Sequence, residues 1–153
     1  MFRSTLNLVN STIVTDQPEL SGFNITLRDS SDIFWVNSVI TTTDEQAICS
    51  VDSFSRPPFF TNNWFSDASC NGVANGDPKL SPLRSNGGPT LTHAPLRDSP
   101  LADAGMRIYC GQSRPDQRGE PRGETTCFIG SVEGFFDISF LMPIISLLLF
   151  GDE

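Results

Sequence analysis

The chain has 153 residues, 38% of them apolar and 18% charged, with ten basic against eighteen acidic side chains and a formal net charge of −8. That length holds one domain with a real core, while the acidity and the scattering of Lys and Arg exclude a phosphate-binding, nucleic-acid surface. Ser, Thr, Asn, Gly and Pro replace the missing charge, a composition suited to short strands and turns.

The first residues, Met1-Phe2-Arg3-Ser4, run directly into strand-like Leu6-Asn7-Leu8-Val9, without the basic start and long apolar core of a signal peptide. This leaves a cytosolic protein, or an internal start within a longer one. An internal repeat follows. Leu6-Asn7-Leu8-Val9-Asn10-Ser11-Thr12-Ile13-Val14 aligns at a 27-residue offset with Ile33-Phe34-Trp35-Val36-Asn37-Ser38-Val39-Ile40-Thr41. Apolar positions match, and Asn-Ser recurs identically. Such a period signals stacked strand-and-turn units, with the corner Asn free to bond its own backbone and the Asn of the neighbouring unit. Ile25-Thr26-Leu27 predicts another strand of the same unit.

Residues 53–75 hold Phe54, Phe59, Phe60, Trp64 and Phe65 among Pro57-Pro58 and Asn62-Asn63. An aromatic loop could stack on sugar rings, but the favoured reading is a satellite core beneath a long loop. From Asp77 to Glu133 turn-forming residues recur every few positions, which predicts strand ends and turns in place of helices. Arg114, Arg118 and Arg122 alternate there with Asp116 and Glu120, which reads as a solvated, self-paired loop. The tail, 135–153, contains the apolar run Ile138–Phe150 broken by Pro143. It is shorter than the ~20 residues of a spanning helix, so a buried or edge strand is expected, with a degenerate surface anchor second.

The four cysteines, Cys49, Cys70, Cys110 and Cys127, allow three pairings. Sequence proximity favours Cys49 with Cys70 and Cys110 with Cys127, in an oxidising compartment; the alternative is four free thiols in a cytosolic protein. With a single histidine and no C-x-x-C, a Cys/His zinc site is not expected.

His93 is the sole candidate general base, yet no G-x-S-x-G accompanies it. Asp98, Asp103, Asp116 and Glu133 could pair for glycoside hydrolysis, but each sits beside a turn residue, where Asp normally bonds backbone. Asp67, Asp77, Asp103 and Asp116 could offer oxygens to a structural calcium, although no loop has the D-x-D-x-D-G spacing. No catalytic residue, cofactor or metal ligand is therefore assigned. Asn10-Ser11-Thr12 and Asn24-Ile25-Thr26 fit the N-glycosylation pattern within predicted strands.

The ordered blocks between Asp77 and Glu133 carry a specific resemblance. They comprise Asn86-Gly87-Gly88-Pro89-Thr90, Leu91-Thr92-His93-Ala94, Ser99-Pro100-Leu101-Ala102-Asp103-Ala104-Gly105, Asp116-Gln117-Arg118-Gly119 and Cys127-Phe128-Ile129-Gly130-Ser131-Val132-Glu133. Together they resemble the closing segment of bacterial surface proteins of the choice-of-anchor Q type. Asn62-Asn63, Asp67 and Cys70 match an upstream stretch of that family. Ser85, Pro95, the order Leu101-Ala102 and Phe128 depart from its pattern, and Phe128 would bury an aromatic where the family has a carboxylate. The resemblance implies an all-β fold, a right-handed parallel β-helix: 1–76 as solenoid rungs with the aromatic loop, 77–134 as a capping segment, and 135–153 as a tail in the place of a sorting signal. It implies that His93 is a packing residue. The expected function is a non-enzymatic secreted or cell-surface module, structural or adhesion-like, part of a longer protein whose partner would be a surface glycan or protein. The alternatives are the tail of a carbohydrate-active enzyme with its catalytic residues upstream, and a standalone intracellular β protein.

Overall fold

The computed structural model describes residues 4–15, 25–27, 31–42, 49–51, 59–69 and 74–136. Nine short strands occur among them: β1 (Ser4–Val9), β2 (Thr12–Thr15), β3 (Ile25–Leu27), β4 (Ser31–Val36), β5 (Val39–Thr42), β6 (Cys49–Val51), β7 (Phe59–Thr61), β8 (Trp64–Phe65) and β9 (Ala74–Asn75). They form three parallel sheets, ordered β1-β4-β7, β2-β5-β8-β9 and β3-β6.

The 27-residue offset is the register of the pairing. Leu6 faces Ile33, Leu8 faces Trp35 and Val9 faces Val36 across β1 and β4, and Ile13 faces Ile40 across β2 and β5. Matching apolar positions in adjacent parallel strands place like side chains on one face, which fixes the register. A third copy pairs at an offset of 25, Trp35 with Phe60 and Val39 with Trp64. The aromatic stretch therefore contributes strands, a correction to its reading as a loop. Trp35 stacks on Phe60 at 5.0 Å between centroids, and Phe34 on Phe59 at 4.9 Å. Such pairs add to plain area burial.

The expectation of a right-handed parallel β-helix is overturned. The sheets contain two to four strands each, and among the described residues no strand follows Asn75. These are too few strands for a β-helix. Stacked parallel units produce the same repeat in sequence whether they are few or many, and the repeat ends where Pro and Gly begin to punctuate the chain. The all-β character stands: one 3₁₀ turn, Arg107–Tyr109, is the sole helical element of the described residues.

Segment 77–136 instead uses turns and two isolated antiparallel bridges, Leu80 with Pro95 and Arg84 with Thr92. Its apolar residues join the strand core. Leu101 and Ile129 are buried against Val39, with Trp64, Leu80 and Ala104 packed around them. Trp35, Val36, Ile40, Phe65 and Val132 are also at most 1% exposed. Among the described residues no helix is long and apolar enough to cross a membrane; the tail beyond 136 lies outside them.

Candidate functional site

The strand-to-strand corners hold the first polar system. Asn10, Asn37 and Asn62 all sit at positive φ, 50°, 50° and 54°, a conformation Asn tolerates better than other side-chain-bearing residues. This turns the chain from one sheet into the next. Asn62 donates to Asn37 Oδ1 at 2.8 Å, the bond between repeats that the sequence predicts. The other bonds run to segment 104–109: Met106 N donates to Asn37 Oδ1 at 2.7 Å, Asn37 Nδ2 donates to Met106 O, and Asn10 Nδ2 donates to Tyr109 O at 3.0 Å. Asn62 Nδ2 also donates to Ala104 O at 2.6 Å, so the segment lies along the corners of all three units. Asn10 of the first glycosylation pattern is engaged in this column; Asn24 of the second lies outside the described residues.

The second system is a buried charged knot. Asp116 and Arg122 side chains are 0% and 1% exposed, Arg118 and Glu133 14% and 16%. Asp116 Oδ1 accepts from the amides of Arg118 (2.7 Å) and Glu120 (3.1 Å). Its Oδ2 accepts from Arg118 Nε and the Glu133 amide, both at 2.9 Å. Arg118 also donates to the carbonyls of Asn86 and Glu133. Arg122 donates to the carbonyls of Phe128 and Gly130 and to Glu133 Oε2 at 3.2 Å. Glu133 in turn accepts from the amides of Phe128 and Gly123. Buried charges persist only when paired and hydrogen-bonded in this way. Burial alone would raise the Asp116 pKa; the amides of Glu133, Arg118 and Glu120 and the Arg118 guanidinium outweigh it, so the carboxyl lies below its ordinary value. Burial lowers the Arg122 pKa against the opposing pull of Glu133 and Asp116. The reading of 114–122 as a solvated loop is corrected here: the Asp116–Arg118 pairing holds, but the pair is buried, because Glu133 and the surrounding carbonyls replace water.

Two glycines let the segments close on this knot. A Cβ on Gly88 would lie 2.6 Å from Arg118 Cα, and one on Gly130 would lie 2.7 Å from Thr12 Oγ1. Gly130 N donates to Asn37 O, and Ser131 N to Thr12 Oγ1, so the knot is tied to the strands. Gly105 N donates to Cys127 O at 2.7 Å, beside the Cys110–Cys127 disulfide. The other expected pairing lies outside the described residues through Cys70. Thr90 accepts from Gln117 Nε2, and Asn86 donates to Thr92. Gly87 turns at φ +91°, and Pro89 follows exposed.

His93 Nδ1 donates to Ser81 O at 2.8 Å. Phe128 is buried and meets Phe135 edge to face at 5.0 Å. Asp98 pairs with Lys79 at the surface, and Asp103 accepts from Thr126. Asp67 and Asp77 accept from nearby Ser69 and Lys79 amides. The calcium candidates are thus dispersed, and among the described residues no group of three or more His, Cys, Asp or Glu could hold a metal ion. No protein family, characterised protein or solved structure matches the chain.

Proposed function

We propose that the protein is a non-catalytic structural module of a secreted or cell-surface protein, related to the choice-of-anchor Q segment it resembles. One observation carries this reading. The charged residues singled out by the resemblance, Asp116, Arg118 and Glu133, direct their oxygens and N–H groups at backbone and at one another. A general acid or base needs a proton path to substrate, and the Asp116 carboxylate, with two hydrogen bonds on each oxygen, offers none. The Cys110–Cys127 disulfide supports an oxidising compartment.

Lys79, the one lysine of the chain, is 41% exposed along its side chain and gives a direct test. A membrane-impermeant amine reagent applied to intact cells of the source organism should label it. Labelling that appears only after lysis would overturn the surface assignment.

A further inference from the structure

The outer edge of the first strand unit is open. β1, β2 and β3 each stand at the end of their sheet, and residues 5–7 of β1 are exposed. One unit further in, the same positions are sealed: Leu6 is 42% exposed, while its partner Ile33 is 7% exposed. Asn10 N donates to Val36 O, so Val36 directs its backbone groups at β1, and Val9 opposite it directs its own away from β4. By the alternation of a strand, Asn7 and Thr5 do the same. Val9 O accepts from Ser11 Oγ. Its counterpart Val36 O accepts from both Ser38 Oγ and Asn10 N, so such a bond leaves the carbonyl able to pair with a further strand.

Proteins normally block an open edge with charge, proline or a bulge. Residues 4–15 contain no charged side chain and no proline, and β1 runs in register with β4 from Ser4 to Val9 without a bulge. On a chain of net charge −8, this uncharged edge is a place where two copies meet without like-charge repulsion.

We propose that two copies of this chain pair through β1, antiparallel about a two-fold axis at Asn7. In that register Thr5, Asn7 and Val9 form the hydrogen-bonded pairs with Val9, Asn7 and Thr5 of the partner subunit, and Leu6 is covered by Leu8 of the partner subunit. The symmetry makes one edge its own complement, and β1-β4-β7 continues into the same sheet of the second copy.

Sedimentation velocity of the purified, oxidised full chain tests this. The mass should rise towards twice the 16.7 kDa of the chain as concentration is raised through the micromolar range. Leu6→Lys should weaken association about tenfold or more, because it places charge in a desolvated pair. Leu91→Lys, at a leucine 55% exposed outside the first unit, should leave it unchanged. Asn7→Pro should weaken it as Leu6→Lys does, since it removes an outward N–H and none that bonds β4. Mild oxidation should link Asn7→Cys copies to each other, because the two-fold brings those Cα atoms to about 5.5 Å, and should leave Thr5→Cys copies unlinked. A chain that stays monomeric, assemblies that grow beyond two copies, equal losses in Leu6→Lys and Leu91→Lys, or linkage through Thr5→Cys in place of Asn7→Cys would overturn the proposal. The surface-labelling result is independent of any of these outcomes.

Discussion

Asn37 Oδ1 accepts two hydrogen bonds, from Asn62 Nδ2 at 2.8 Å and from the Met106 amide at 2.7 Å. The first links neighbouring strand units; the second attaches the turn-rich segment to them. One buried side chain, itself 0% exposed, therefore joins both halves of the fold. Replacing it separates two contributions. Asn37→Gly keeps the left-handed corner and loses the bonds, at a cost of about 1–3 kcal/mol for the donors left unpaired. Asn37→Ala should cost about 1 kcal/mol more, because a Cβ without a helpful side chain is strained at φ 50°. Urea unfolding of the two variants checks the order; equal stability to wild type would remove the corner column from the account.

Gly87 and Gly88 are neighbours with different reasons to be glycine. Both have positive φ, +91° and +76°, but a Cβ at Gly87 meets nothing within 4 Å while one at Gly88 meets the Arg118 backbone at 2.6 Å. Gly87→Ala should thus cost about 1 kcal/mol of backbone strain, and Gly88→Ala a further 1–3 kcal/mol, roughly, for the overlap. Thermal unfolding of both variants tests the difference, which should vanish if the two segments do not meet.

The Cys110–Cys127 bridge closes a loop with a sequence separation of 17 that contains Asp116, Arg118 and Arg122. Its loss should cost about 3 kcal/mol through the unfolded state. Denaturation of a Cys110→Ser/Cys127→Ser double variant measures this directly, and an unchanged midpoint would contradict it.

Acid should act through the knot. Because the folded-state pKa of Asp116 is lowered, the carboxylate's stabilisation is fully present above the ordinary aspartate value near pH ~4 and is lost as pH falls through the lower folded value. Stability measured from pH 7 downward should hold until about pH 5 and fall below about pH 4. Asp116→Asn should flatten part of that fall. Identical acid profiles would show that another group titrates.

The sequence made parts of this structure legible and hid others for physical reasons. The pairing of β1 with β4 could be read because Asn-Ser marks both corners and the flanking apolar positions match. The third unit was hidden because its spacing shortens to 25 and Asn63 replaces Ser. Asn63 does the serine's neighbourly work differently, accepting from the Ser38 amide and donating to Trp35 O. How many units stack is not written in a repeat that shows itself twice, and the β-helix expectation failed there. Asp116 with Arg118 was legible as a local pair. Its burial was not, since that depends on Glu133 and on carbonyls of Asn86, Phe128 and Gly130 supplied from distant turns.

The buried knot of Asp116, Arg118, Arg122 and Glu133 is structural. Equilibrium unfolding of Asp116→Ala in the oxidised chain tests this most directly. Removing one partner of a buried, hydrogen-bonded ion pair should cost about 3–5 kcal/mol, since Arg118 and the amides of Glu120 and Glu133 would be left without their acceptor. A variant as stable as wild type would contradict the claim and return Asp116 to the list of groups free for chemistry.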